Sequence, residues 1–234
     1  IDFLAVATPD HLHFEPTWHA LTNDIHVVLE KPMTLQMTEA DKIIELANER
    51  QLVVGLDMHK RYDPDHCKIF HDLVHQMGDP IYGRAVLEEP LEVATATFKW
   101  ASKSDPFSYV GVHWTDLFIH YLKTKPAALF AVGQKMKLLQ QYDIDAYDAV
   151  QVSVVFDNKM HIQFVNNWIT PADFEGPVNQ ESEILLTNGK VESDSQYRGL
   201  RYTLENGGSR TSNTHFTRDI LRPDKSKSYV GYGK

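Results

Sequence analysis

Three short stretches of this chain gather residue types that move protons or bind ligands. The run from Gly111 to His120 carries His113, Asp116 and His120 at spacings of three and four. On a helix that spacing puts all three side chains on one face. An aspartate one turn before a histidine orients the imidazole and raises its basicity, as a general base requires. Two histidines and a carboxylate on one face also suit a metal, and a solvated polar face is the plain alternative. The second stretch is Glu30, Lys31, Pro32. A lysine fixed between a strand end and a proline has a constrained backbone, and a desolvated ammonium polarises a carbonyl or shares a proton. Its plain alternative is a surface lysine in a loop. The third stretch runs from Thr8 to His13, with His11 and His13 two apart, a weak metal signal and equally a polar turn.

These residues need elements to hold them. The apolar runs 1–7, 25–29 and 52–56 read as buried strands. Between them lie a helical pattern over 14–22, with Phe14, Trp18 and Leu21 on one side, and an amphipathic helix over 38–50 with Thr38 as its N-cap. Strand and helix in alternation imply a parallel sheet with crossover helices. In open α/β sheets the carboxyl ends of the strands face the ligand crevice, and both Thr8-Pro9 and Glu30-Lys31 sit at such ends. Near residue 60 the alternation stops. A helix over 66–77 follows, then strand-like runs at 81–88, 93–100, 128–137, 149–157, 160–168, 181–187 and 197–204. One helix, 110–122, interrupts them. Turn signals at Asp157-Asn158, Asn188-Gly189 and Asn206 to Gly208 fit antiparallel hairpins. The expected fold is therefore α/β plus α+β, with a parallel part over 1–60 and a mostly antiparallel part over 61–234. The polar tail from Ser209 is read as irregular chain or a cut end.

Composition bounds the function. The 234 residues are 42% hydrophobic and 24% charged, with a formal charge of −9. This is a core-forming composition, and the acidity argues against a sequence-independent nucleic-acid binder or a partner of anionic membrane surfaces. No apolar run reaches the roughly 20 residues that cross a bilayer. Cys67 is the sole cysteine, which excludes a disulfide scaffold and favours a reducing, cytoplasmic compartment. The chain opens on Ile1, directly in a strand-like run, and is expected to be a piece of a longer protein.

Taken jointly, the three stretches resemble the Gfo/Idh/MocA family of nicotinamide-dependent oxidoreductases. The likeness runs from Ile1 to about Pro64: Ala7-Thr8-Pro9 with His13 four further on, Val27 to Pro32, Glu39-Ala40, and Arg61-Tyr62 with Pro64. The downstream Asp-x-x-x-His match is Asp116 and His120. The resemblance implies the C-terminal half of a Rossmann domain followed by a domain with a large open, mostly antiparallel sheet. It implies NAD or NADP as cofactor and a small-molecule substrate, a sugar, polyol or relative. Lys31, Asp116 and His120 would be catalytic, with His120 taking the hydroxyl proton and Lys31 stabilising the oxygen. Thr8, Pro9, His13, Glu30 and Lys31 would line the nicotinamide half of the cofactor, and Arg61 the substrate end. Lys103, His113 and Trp168, with Trp100 and Tyr109, are expected around the substrate. Members commonly pair through the sheet, so a homo-oligomer is expected; no structural metal is.

Departures from the pattern are specific. The family usually has a small residue, often Gly, two positions after the Asp, and here that position is Phe118. Asp10 stands where Asn is frequent. No Gly-x-Gly-x-x-Gly occurs anywhere, so the pyrophosphate grip of a Rossmann domain is missing. The segment alone is expected to bind dinucleotide poorly and to show no turnover. Two further classes compete: a non-catalytic nucleotide- or sugar-binding regulator, and a metal-dependent enzyme using His113, Asp116 and His120.

Overall fold

The computed structural model describes residues 1–174, 178–194, 199–204, 206–212, 218–221 and 227–230. Its first sheet is β1 (Phe3–Val6), β2 (His26–Leu29) and β3 (Val54–Leu56), ordered β1-β2-β3 and parallel throughout. The crossovers carry α1 (Phe14–Thr22) and α2 (Met37–Glu49). Val6, Val27 and Leu29 point to the helices and join Ala20, Leu21, Ile43 and Leu46 in one core. Period-2 alternation turns Val28 to the opposite face, where it is exposed with Phe3. α2 starts one residue before Thr38, so its N-cap is Gln36, which makes no side-chain capping bond.

The segment Pro64–Cys67 (α3) continues through a π-type turn over Lys68–Leu73 into Val74–Gln76, close to the expected 66–77. Beyond it lies an eight-stranded sheet. Its strands are β4 (Pro80–Pro90), β5 (Pro126–Gln134), β6 (Ala149–Phe156), β7 (His161–Thr170), β8 (Asn179–Leu186), β9 (Gly189–Asp194), β10 (Gly199–Leu204) and β11 (Gly208–Ser212). Their order is β11-β10-β9-β8-β4-β7-β6-β5. Only β4 and β7 run parallel; the other neighbours are antiparallel. β12 (Arg218–Leu221) and β13 (Lys227–Val230) form a separate ribbon, so the described parts of the tail are strands rather than irregular chain.

One face of the large sheet is covered by the helical segment after Pro64 and by α4 (Val112–Leu122). Trp114, Leu117 and Phe118 of α4 are fully buried against Phe70, Phe156 and Phe164. The indole N–H of Trp114 donates to the Val86 carbonyl of β4 over 3.0 Å, which fixes the helix in rotation as well as position. A smaller core gathers Ala94, Ala101, Leu138, Ala146 and Trp168.

Two expected strands are corrected. Residues 93–100 are not a strand: Val93–Thr97 is a π-type turn, because Ala94 packs into the smaller core instead of along a sheet. The run 128–137 stops at Gln134, and Lys137–Tyr142 is a short helix, α5. Its first amides at Met136, Lys137 and Leu138 all donate to the Asp148 carboxylate at 2.6–2.8 Å, a cap from a distant residue.

Candidate functional site

A cavity of about 550 Å³ opens between the strand ends of the parallel sheet and the large sheet. After β1 it is lined by Ala7 to Asp10, after β2 by Glu30 and Lys31, and after β3 by His59 and Lys60. The opposite wall comes from Leu87 and Glu89 of β4, from Phe98 and Trp100, and from Tyr109, Val110 and His113 at the start of α4. The volume falls within the range of small-molecule sites, apolar with a few convergent polar groups.

Packing fixes the loops. Both ring nitrogens of buried His13 lie against carbonyl oxygens, Nδ1 at 2.6 Å from Pro32 and Nε2 at 2.9 Å from Thr8. One side chain therefore ties the ends of β1 and β2 together. Lys31 precedes a cis peptide to Pro32, and its Nζ donates to the Tyr109 carbonyl over 2.6 Å. Burial pulls the Lys31 ammonium below its ordinary value, opposed by the charges of Asp10, Glu89 and Glu30. Asp10 is buried and its carboxyl is raised by desolvation, although it accepts a 2.6 Å bond from Ser104. Lys60 is held by a relay: its Nζ donates to Gln180 Oε1, Gln180 Nε2 donates to His66 Nε2, and His66 Nδ1 donates to the Lys60 carbonyl. Burial also lowers Lys60.

Helix α4 decides which histidine enters the cavity. His113 is buried and lines it, with its ring 4.7 Å from that of His59. Burial, reinforced by the charges of Lys31, His59 and Lys60, holds its imidazole down at about 2, so the ring is neutral. Its Nδ1 is buried without a hydrogen-bond partner. Asp116, expected to orient a catalytic histidine, instead forms a two-pronged pair with Arg61, Nε to Oδ2 at 2.7 Å and Nη2 to Oδ1 at 2.5 Å. His120 packs on Tyr121 at 4.8 Å and does not line the cavity. The reason is helical geometry: two turns carry His120 past the cavity mouth once Trp114 and Phe118 are locked into the core.

This placement shifts the family's Asp-x-x-x-His pattern by two turns. With His113 as the histidine, the small residue two positions earlier is Gly111, and the position four earlier is Tyr109. The mismatch at Phe118 then disappears, since Phe118 is simply core. Gly111 is under close constraint: a Cβ there would sit 2.5 Å from the Phe107 ring and 2.7 Å from Asn166 Oδ1. The Gly111-Val112-His113 triplet was the sequence signal for this register.

Three other expected site residues lie elsewhere. Arg61 and Tyr62 line a separate hollow of about 270 Å³ beside β3, with Val28 and Asp57. Lys103 is exposed on the turn Ala101–Lys103 and is not on the cavity wall. Trp168 is fully buried in the smaller core, reaching the site only through its indole N–H, which donates to Glu89 Oε2 over 2.9 Å. Thr8, Pro9, Glu30 and Lys31 do line the cavity. Sequence reasoning missed Glu89 and Lys60, and noted Asp10 only as a departure from the family pattern. Glu89 is pushed up to about 7 by burial, against the lowering pull of Lys31 and the Trp168 bond. Among the described residues no three His, Cys, Asp or Glu side chains are grouped to hold a metal, and no helix is long and apolar enough to cross a membrane.

A crevice at the carboxyl ends of parallel strands, walled by an open mixed sheet, is where open α/β folds bind their ligands. A model described as "Oxidoreductase family, NAD-binding Rossmann fold" matches residues 1–58, and the Gfo/Idh/MocA C-terminal domain matches residues 75–192. The chain belongs to the Gfo/Idh/MocA family. UDP-N-acetylglucosamine 3-dehydrogenase of Acidithiobacillus ferrooxidans is 38% identical over 64 residues, 27% of this chain and 20% of that protein. The NADP(+)-dependent scyllo-inositol 2-dehydrogenase of Bacillus subtilis is 33% identical over 69 residues, 30% of this chain and 19% of that protein. An inositol dehydrogenase homologue of Azotobacter vinelandii, solved with NADH and myo-inositol, superposes with a TM-score of 0.76 at 17% identity, covering 92% of this chain and 57% of that one. The chain thus spans about a fifth of the length of those curated relatives in the aligned stretch, and under two thirds of the solved chain.

The cavity fits the nicotinamide end of a dinucleotide. Its size suits a ring and a small substrate together, Lys31 supplies a donor, and His113 has unused hydrogen-bonding capacity. Thr8, Pro9, His13, Glu30 and Lys31 line the cavity and could hold the ring.

Proposed function

We propose that the chain forms the chemical half of an NAD(P)-dependent dehydrogenase or reductase acting on a hydroxyl or carbonyl of a sugar, polyol or related small molecule. The observation that carries this reading is the convergence of Lys31, after β2, and His113, on α4, on one cavity at the strand ends. A bound nicotinamide supplies the hydride acceptor or donor. The protein does the rest. Lys31 donates a hydrogen bond to the substrate oxygen and stabilises charge developing there. Neutral His113 hydrogen-bonds the same hydroxyl and fixes its direction. Phe98 and Trp100, stacked at 4.4 Å, offer an aromatic wall against a sugar ring.

The test is direct. The protein is titrated into NADH and NADPH by fluorescence, then assayed with myo-inositol, scyllo-inositol and UDP-N-acetylglucosamine. Cofactor binding and turnover of a hydroxyl compound are expected from the chain when it carries a glycine-rich dinucleotide grip. Neither response, with either cofactor, ends the reading. One observation favours a second reading, a non-catalytic binding regulator: Tyr109 stands at the acidic position of the family pattern. Cofactor binding with no turnover of any hydroxyl compound would select it.

The division near residue 60 is supported by the end of the parallel sheet at Leu56 and the start of the large sheet at Pro80. Self-association through the large sheet is supported by β5, an edge strand on which Leu129 and Phe130 are 67% and 69% exposed. A cytoplasmic setting is supported by the single cysteine of the sequence, Cys67, which is buried.

A further inference from the structure

The family pattern pairs a histidine with an acid four residues earlier, and this chain has Tyr109 there. If the site performs the reaction proposed above, its acid must come from another element. Glu89 of β4 lines the cavity, with its Oε2 held by the Trp168 indole and Oε1 in no hydrogen bond among the described residues. It sits among Lys31 from the end of β2, Lys60 from beyond β3, and Asp10 from beyond β1. His113 and His59 share the cavity.

We propose that Glu89, and neither histidine of α4, is the base that takes the substrate hydroxyl proton. In the oxidative direction the O–H bond breaks toward Glu89 and the carbon–hydrogen bond breaks with its electron pair going to the nicotinamide. The substrate is oxidised to a carbonyl, the nicotinamide is reduced, and Glu89 ends protonated. In the reductive direction Glu89 returns that proton. The charge distribution supports the choice. His113 is surrounded by cationic groups and resists a further positive charge. Glu89 becomes neutral on accepting a proton, beside the carboxyl of Asp10, and its own value near 7 is matched to neutral solution. The Trp168 bond aims the carboxyl while leaving one oxygen for the substrate.

Two measurements test this inference, which rests on the dehydrogenase reading. In protein labelled with 13C at the glutamate carboxyls, one resonance is expected to titrate near neutrality and to vanish in Glu89→Gln. Its absence overturns the inference without turnover being needed. With the fastest substrate of the panel above, kcat/KM is expected to fall on the acid side in the wild type. Glu89→Gln should lower kcat/KM by roughly 10²- to 10⁴-fold near neutrality and abolish that limb. Glu89→Asp should retain a limb, and His113→Gln should lower the rate but keep it. An acid limb that survives in Glu89→Gln and disappears in His113→Gln overturns the inference while leaving the dehydrogenase reading intact. Cofactor binding with no turnover of any hydroxyl compound removes both.

Discussion

Lys31 Nζ donates to the main-chain carbonyl of Tyr109 over 2.6 Å and lies 3.5 Å from the centroid of the same residue's ring. Seventy-eight positions separate the two residues, one at the end of a parallel strand and the other at the entry to α4. The contact clamps the parallel sheet to the large one at the cavity and desolvates the ammonium between carbonyl and ring. A substrate oxygen entering there meets a donor already oriented, so little reorganisation is needed when charge develops.

Replacing Lys31 by Met keeps the bulk of the stem and removes the donor. Turnover is expected to fall by roughly 10²- to 10⁴-fold in kcat/KM. The thermal midpoint should fall, because the bond to the Tyr109 carbonyl is lost and Asp10 and Glu89 lose their cationic neighbour. Calorimetry beside steady-state assays would separate the two effects, and unchanged turnover would remove Lys31 from the chemistry.

Glu89 also makes stability depend on pH. Its folded-state value of about 7 lies above the ordinary 4.5. Below 4.5 both folded and unfolded chains carry the proton, whereas between the two values the folded chain binds more of it. Stability from this group is therefore lost as pH rises from about 4.5 to about 7, on the order of 3 kcal/mol in all. Denaturant unfolding at pH 5 and pH 8 should show that decline in the wild type and a flatter response in Glu89→Gln. A wild-type stability that rises across the window contradicts the assignment.

Gly111→Ala places a methyl 2.5 Å from the Phe107 ring and 2.7 Å from Asn166 Oδ1. Phe107 and Asn166 are packed, so the helix entry must shift, at a cost of about 1–3 kcal/mol. His113 moves with it. Both the thermal midpoint and kcat/KM should drop, and loss of neither would show that the entry of α4 has room to spare.

Arg61 and Asp116 are expected to be structural. Asp116→Asn removes the charge from a two-pronged, half-buried pair and should destabilise by about 1–2 kcal/mol. Its acid limb in kcat/KM should stay where it is in the wild type. His120→Gln, outside the cavity, should leave kcat/KM within a few-fold. A large rate loss in His120→Gln would restore it to the catalytic set.

β5 tests the assembly. Replacing Phe130 by Asp places a charge on an exposed apolar edge strand. If the sheet joins copies, the variant should elute at lower mass than the wild type in light-scattering chromatography. Equal masses would place the interface elsewhere or leave none.

Much of this molecule was legible before any coordinates. Strand-helix alternation over the first 56 residues follows from local apolar periodicity, and the loops after β1 and β2 fall at the crevice because parallel strands align their carboxyl ends. Hence Thr8, Pro9, Glu30 and Lys31 could be placed on one wall from order alone. Other features depended on partners distant in the chain. Helix α5 is capped by Asp148, twelve and eleven residues beyond its first amide donors at Met136 and Lys137, which no local signal announces. Residues 93–97 are apolar enough for a strand but turn because Trp168 and Leu138 form the core they must join. The histidines of α4 show the limit most clearly. Spacing put His113, Asp116 and His120 on one face, but rotation and depth of the helix were set by Trp114 and Phe118 packing against strands far away in sequence. Those contacts put His113 in the cavity, paired Asp116 with Arg61, and left Glu89, a residue with no motif around it, as a half-buried acid beside Lys31 and Asp10. Periodicity is a local property of the backbone; which side chains share a desolvated space is decided by packing between segments, and so is their charge.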